Sequence, residues 1–576
     1  MPTAAVYGDE VGVTRRHATM GQGPNAVLPA FEAYQAARIE FAREVARLAL
    51  PNDPNAAKTV SAPGGTYEVD GAEKTIQALE ASYHLLDDMR PLVTDQSAAV
   101  RENALIAMGR MSDISSKLHD GISEEETIKS TVDAIKNEDG SAPPNLLKAA
   151  IFLLHAVVKA SAEAAAIACE KGAPEALRDR LDDNDSSIKA AACWCIAAIA
   201  NHEQSLAAQV SESCSDLLGK CLKEPSLPLR RVALACLGCV AKHDLNLATS
   251  LNSEGILPIA VTFLTHKDML LRRQACRLLA CATQHDGRCV DWVNAEARKN
   301  LVQTLRDAQG GGDGETGAFA ATLVQQLAKH SSSASSQMVD AGVVPLLVDH
   351  IAAGLGSPAP SAAALGYICG HSSDAATEAV ESGAISAIKP VLAHMAPAPT
   401  CAMLCQCLGS IGDAGEEHAS AIATSGAMQL MAESTLLRRG PKMGPETAKV
   451  ARKGIAKAVG KCTGGRAEYE VLAWMVEALP FGGPDPESIV LAALLKTIAK
   501  ILGEKGKIPY KGSSMMLDFM QRGALTLAQE AKKSSNADLR DALKALNQVY
   551  PPIMVDATDP DFEKKLLAKI DPNKES

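Results

Sequence analysis

Gly312, Gly314 and Gly317 stand at the spacing G-x-G-x-x-G, which lets a backbone wrap closely around a dinucleotide pyrophosphate. That chemistry needs a strand before the glycines and a helix after them within a βαβ unit, and the surrounding sequence carries no strand or parallel-sheet pattern. Cys236 and Cys239 form one C-x-x-C, with Cys401, Cys405 and Cys407 further along. Zinc takes four ligands, commonly from paired motifs, but no second pair follows and both thiols fall inside an apolar helical run. His202, His243, His285, His330 and His371 recur at intervals of 41 to 45 residues. If each interval is one stacked layer of about 10 Å, the rings are too far apart to share an ion. There is no serine nucleophile elbow, phosphate-cradling lysine loop or H-E-x-x-H helix. A catalytic role for a cysteine such as Cys289 is the remaining enzymatic reading. The expectation is a protein that is not an enzyme, with no cofactor and no metal.

The histidine interval is the period of most of the chain. Ala160, His202, His243, His285, His330, His371 and Ala414 are followed twelve residues later by Gly172, Cys214, Gly255, Ala297, Gly342, Gly383 and Gly426. Self-similarity at 40–47 residues marks armadillo or HEAT arrays, whose units hide their apolar faces only by stacking. One unit reads clearly after Lys242-His243: a short helix to Gly255, a second from Leu257 to Leu264, a polar turn at His266-Lys267-Asp268, then a longer third helix. The glycine suits a left-handed cap between the short helices. The histidine falls at a third-helix C-terminus, where a donor meets open carbonyls for about 0.3–1 kcal/mol. The expected fold is all-α: a right-handed armadillo-repeat α-solenoid of about ten three-helix units, with an N-terminal amphipathic helix.

Composition agrees. Of 576 residues 47% are hydrophobic but only 3% aromatic, so the core must pack small aliphatic side chains closely. A net charge of −11 and a pI of about 5.7 argue against nucleic acid and anionic lipid as partners. The start of the chain is polar, without the apolar core of a secretory signal. No run reaches the 18 or so apolar residues that span a bilayer. Fifteen cysteines in such a chain read as reduced packing thiols, and the expected location is the cytoplasm or cytoskeleton.

Residues 1–26 read as a flexible tail. Val27, Phe31, Tyr34, Arg38, Phe41, Val45 and Leu48 lie on one stripe of a helix over 27–50. Residues 51–72, with three prolines and Gly64-Gly65, read as a linker or insertion. The solenoid is expected over 73–550, stretched by acidic, polar residues at 115–145 and by a flexible loop insertion at 309–317. Degraded capping repeats start near 440, and 551–576 form a C-terminal extension.

Two surfaces are candidate partner contacts. Lys189, Arg230, Arg231, Arg272 and Arg273 recur at third-helix starts, and third helices line the groove of armadillo arrays. The strip would hold an acidic partner, or pair with acidic turns such as Asp182-Asp183-Asn184-Asp185. The other is Phe31, Tyr34, Arg38 and Phe41 on the N-terminal helix. The W-x-x-x-N ladder that nuclear-import receptors use for basic peptides is missing: Trp194, Trp292 and Trp474 are followed four residues on by Ala198, Glu296 and Ala478.

The segment Val27-Leu28-Pro29-Ala30-Phe31-Glu32-Ala33-Tyr34-Gln35-Ala36-Ala37-Arg38 resembles the opening F-x-x-Y-Q-x-A-R helix of sperm-associated antigen six and its flagellar relatives. These are armadillo proteins of the central pair apparatus of motile cilia. Ala364-Leu365-Gly366-Tyr367-Ile368 is similar to their L-G-Y-I, and Leu408-Gly409-Ser410-Ile411-Gly412 before His418-Ala419 to their L-G-Q-I-G-R-H…H-A. Asn547-Gln548-Val549-Tyr550-Pro551 with Leu566-Leu567 is similar to N-x-C-Y-P and the closing L-L helix. The matches keep their order from 27 to about 570, but Pro552-Ile553 replaces the family's acidic pair. The linker at 51–72 also replaces its regular first repeat, and 309–317 is extra. The resemblance implies a divergent paralogue: a structural scaffold of the axonemal central apparatus in the cilium or flagellum, stacking with itself or a related armadillo protein. It implies other central-apparatus proteins and the microtubule, directly or through them, as partners. The rival expectation is a soluble cytosolic armadillo adaptor.

Overall fold

Short polar residues set where the helices begin. Asp185, Ser226, Asp268, Asp313 and Asn536 each accept a backbone N–H from the first turn of a long helix, Asp268 Oδ1 lying 2.7 Å from the Leu271 amide. Ser161, Asp244, Ser331 and Ser372 do the same for short helices, satisfying donors that every helix start leaves open. The glycines between short helices take the expected left-handed conformation, with φ of 77° at Gly255 and 82° at Gly342.

The computed structural model describes residues 27–50, 59–62, 65–68, 71–137, 140–394, 396–437, 443–479, 488–562 and 566–567. The expected tail at 1–26 and the end of the expected extension, 568–576, lie outside the described residues. The chain divides into two compact units, Met1–Leu218 and Gly219–Ser576. In the first, the helices Val27–Leu48, Ala98–Ile114, Pro144–Ala160 and Ser186–Ala200 pack side by side in chain order. In the second the order is Leu227–Ala241, Met269–Thr283, Gly314–His330, Ala359–His371, Ala398–Asp413, Pro445–Gly460, Ser488–Lys505 and Ala537–Val549. Shorter helices fill the intervals, as Leu245–Ser253 and Ile256–Thr262 do before Met269–Thr283. The fold is an all-α solenoid of armadillo-type layers, with eleven third helices among the described residues against the ten or so expected. The Val27–Leu48 helix stacks on Ala98–Ile114 as a third helix would.

Small residues let the long helices approach closely. A Cβ on Gly454 would stand 2.3 Å from the Cys405 carbonyl oxygen, and one on Gly409 2.3 Å from that of Gly454. Here Ala398–Asp413 and Pro445–Gly460 touch backbone to backbone.

The structure departs from the sequence expectations in three places. Part of the 51–72 linker is an antiparallel hairpin, Thr59–Ala62 with Gly65–Glu68. The loop expected at 309–317 is mostly helix: Gln309 and Gly310 complete Ala295–Gly310, Gly312 turns with φ 68°, and Asp313 caps Gly314–His330. Where a cap glycine is missing, the break goes or moves. Cys214 lies inside one continuous helix, Gln204–Cys221. Ala297 lies inside Ala295–Gly310, with the break shifted upstream to Val293-Asn294.

Candidate interaction surface

The histidine column does cap third helices, but those of the preceding layer. His202 Nε2 is 2.6 Å from the Val158 oxygen, His285 Nε2 2.7 Å from Ala241 and His371 Nε2 2.7 Å from Ala328. His330 Nε2 lies 3.1 Å from the Gln284 oxygen. A carbonyl only accepts, so each Nε2 carries the proton. The next residue caps forward: Asp244, Ser331 and Ser372 start the following short helix. His330-Ser331 and His371-Ser372 therefore each tie one layer back and start the next.

The arginines of the ladder are also held by other groups of this chain. Arg231 Nε donates to Asp268 at 3.0 Å, and its terminal nitrogen pairs with the other carboxylate oxygen. Arg272 pairs with Asp307, and Arg273 pairs with Glu315 and donates to Asp313 at 2.8 Å and to the Thr316 hydroxyl at 3.1 Å. Arg230 donates to the Glu224 carbonyl, its guanidinium 6.0 Å from the centre of the Phe263 ring. Lys189 is likewise engaged. Asp268 and Asp313 thus serve twice, capping a third helix and holding the arginine of the preceding layer. Burial alone would raise the carboxyl of Asp268, but the Arg231 guanidinium and the Leu271 amide hold it below the ordinary carboxylate range. The Arg272 hydrogen bond lowers Asp307 against its partial burial. These acceptors were missed in the sequence. For Asp268 and Asp313 the signal was an Asp at the N-cap position of a third helix one repeat downstream of an arginine; Asp307, inside Ala295–Gly310, carries no such signal.

The N-terminal helix divides its faces differently from the predicted stripe. Ala42, Val45, Ala46 and Ala49 are buried. Arg38 pairs with Asp95 and lies 5.1 Å from the centre of the Tyr34 ring. Arg110 donates to the Ala46 carbonyl at 2.7 Å. Arg38 is therefore held within the chain. Phe31 at 54%, Tyr34 at 57% and Phe41 at 39% exposure remain open.

The glycine motif has a packing cause. A Cβ on Gly314 would stand 2.2 Å from the Leu355 oxygen, and one on Gly317 2.7 Å from the His350 ring. His350 itself bridges the Gly314 carbonyl, 3.2 Å from Nε2, and the Ser361 hydroxyl, 2.9 Å from Nδ1. Cys236, Cys239 and Cys289 are buried thiols outside any disulfide. Burial pushes Cys214, Cys276, Cys369 and Cys462 up to about 12 and raises Cys289. Among the described residues no group of three or more His, Cys, Asp or Glu side chains is placed to hold a metal ion, and no single helix is long and apolar enough to cross a membrane.

No protein family and no curated protein matches the chain. Among solved structures, an engineered protein is similar over 73% of this chain and 94% of its own length, at 20% identity and a TM-score of 0.55. Two designed armadillo repeat proteins, the second in complex with the peptide (KR)4, are each similar over 42% of this chain and 99% of theirs, with TM-scores of 0.38 and identities of 18% and 20%. The likeness to the engineered protein reaches the fold alone. That fold, stacked layers presenting an extended surface, is suited to a protein-interaction scaffold.

Proposed function

We propose that this chain is a non-enzymatic scaffold of the axonemal central apparatus, stacking with itself or a related armadillo protein along the central-pair microtubules in support of ciliary motility. One observation carries this reading: the ordered set of flagellar-type segments, from the Phe31-Tyr34-Arg38 helix to Asn547-Gln548-Val549-Tyr550, spread over a solenoid of three-helix layers. Packing alone accounts for some of them. Gly366 lies against the Cys407 backbone, and the Tyr550 hydroxyl donates to the Met516 carbonyl at 3.0 Å. Packing does not account for Phe31 and Tyr34, which are more than half exposed on a helix whose small residues do the packing. Aromatic side chains of that kind serve as anchors at protein interfaces.

Fractionation of demembranated cilia tests the proposal. Retention of the chain with the axoneme, and its loss from axonemes that lack the central pair, is the expected result. A pool released entirely with the detergent-soluble fraction overturns it in favour of a soluble adaptor.

A further inference from the structure

The third helices near the C-terminal end carry a second cationic ladder, and this one is open. Lys453, Lys496 and Arg540 follow one another at 43 and 44 residues, and Lys457, Lys500 and Lys544 do the same one helical turn on. They lie on Pro445–Gly460, Ser488–Lys505 and Ala537–Val549, three successive helices that pack side by side. Packing covers most of each of the first two. The exposed residues of Pro445–Gly460 include Lys449, Lys453 and Lys457, and those of Ser488–Lys505 include Lys496 and Lys500. A spacing of four places the cations of each helix on one stripe.

Charge sets this face apart. The helices Pro445–Gly460 and Ser488–Lys505 hold seven cations and two carboxylates, in a chain whose net charge is −11. At the margins the cations are engaged: Lys457 with Asp413 at 3.3 Å, Lys544 with Asp541 at 2.8 Å, and Arg540 with the Ser534 carbonyl at 2.6 Å. Lys453, Lys496 and Lys500, in the middle, make no side-chain hydrogen bond or ion pair among the described residues. The contrast with Arg231, Arg272 and Arg273 is physical: there an aspartate in the next layer accepts each guanidinium, whereas here Asp541 of the next layer feels the charge of Lys496 but accepts no hydrogen bond from it.

We infer that this face binds an extended acidic segment of a partner protein. The two cations on each helix are about 6 Å apart along its axis, and neighbouring helices are about 8–10 Å apart. A chain extended as polyproline II rises about 3.1 Å per residue with three residues per turn, so carboxylates three residues apart lie on one side, about 9 Å from each other, and reach cations on adjacent helices. The inference rests on the scaffold reading, but its test uses no axoneme and can fail independently of it.

The test is fluorescence anisotropy of the full chain with a fluorescein-labelled decaglutamate peptide, between 50 and 300 mM salt. Binding that weakens as salt rises is expected. Lys453→Glu, Lys496→Glu and Lys500→Glu together should weaken it tenfold or more, and the three changes to Gln should weaken it less. A charge-matched control, Lys74→Glu with Lys117→Glu and Lys223→Glu, alters three other exposed lysines and should keep most of the affinity. Equal loss in the ladder and control variants overturns the proposal, as does undiminished binding by the ladder variant. Tighter binding of a uridine oligonucleotide of equal charge would also overturn it, since the face would then be a general polyanion surface.

Discussion

The Nε2 atom of His285 lies 2.7 Å from the carbonyl oxygen of Ala241, 44 residues earlier in the chain and one layer back in the stack. Gln284 repeats the tie, its side-chain amide donating to the Lys242 carbonyl at 2.9 Å. The last carbonyls of one third helix are therefore satisfied by the end of the next. Losing the ring leaves the Ala241 carbonyl without this donor, at a cost of about 1 kcal/mol for one hydrogen bond. His285→Ala should lower the urea midpoint accordingly, whereas His394→Ala, at an exposed position, should leave it unchanged. Equal midpoints for the two variants would mean that the histidine column does not tie the layers.

Glycine substitutions should separate close approach from helix propensity. At Gly454 a Cβ would meet the Cys405 carbonyl at 2.3 Å, and backbone cannot give way as a flexible side chain can. Overpacking of this kind costs about 1–3 kcal/mol, so Gly454→Ala should destabilise the chain strongly. Gly503 also lies inside a helix, but a Cβ there meets only Val549 Cγ2, at 3.9 Å. Gly503→Ala should be neutral or stabilising by up to about 1 kcal/mol. Thermal denaturation of the two variants decides, and similar losses in both would refute the backbone-contact account.

Much of this architecture was legible because it is written locally. The glycine twelve residues after each leading position marks the break between short helices. Its absence at Cys214 coincides with a fused helix, Gln204–Cys221. What sequence periodicity could not supply is which layer a side chain reaches. His285 was expected to meet open carbonyls at a third-helix end, and the one it meets, of Ala241, belongs to the previous layer. Arg231 had two readings, a partner or an acidic turn, and it meets Asp268, 37 residues on. Gly314 and Gly317 imitate a nucleotide motif because Leu355 and His350 press against them, contacts that spacing does not reveal. Lys453, Lys496 and Lys500 went unread because cations were sought at third-helix starts, where aspartate caps neutralise them, rather than on the open stripe.

The arginine–aspartate pairs make a prediction about acid. Asp268, Asp307 and Asp313 are all held below the ordinary carboxylate value, so the unfolded chain binds their protons more readily than the folded one. Their stabilisation is complete above the unfolded value of about 3.9 and is lost as pH falls below it. The melting temperature should therefore be flat from pH 7 to about 5 and fall below about 4. Arg272→Met should melt lower at neutral pH and show a shallower acid fall, because Asp307 no longer has its guanidinium. A parallel fall in both proteins would show that the pair does not govern acid stability.

The cysteines reverse that sign and address the remaining enzymatic reading. Burial pushes the thiols of Cys276 and Cys369 up to about 12, above the ordinary value of about 8.5. The folded chain keeps these protons longer than the unfolded one, so their contribution is full below about pH 8.5 and declines as pH rises towards 12. A thiol held neutral and out of reach is also a poor nucleophile. With Ellman's reagent at pH 8, only the partly exposed Cys169 and Cys281 should react in the native chain, and slowly, because burial raises both of them. All fifteen should react in guanidinium chloride. A fast native reaction mapped to Cys289 would contradict its burial and reopen the case for a catalytic cysteine.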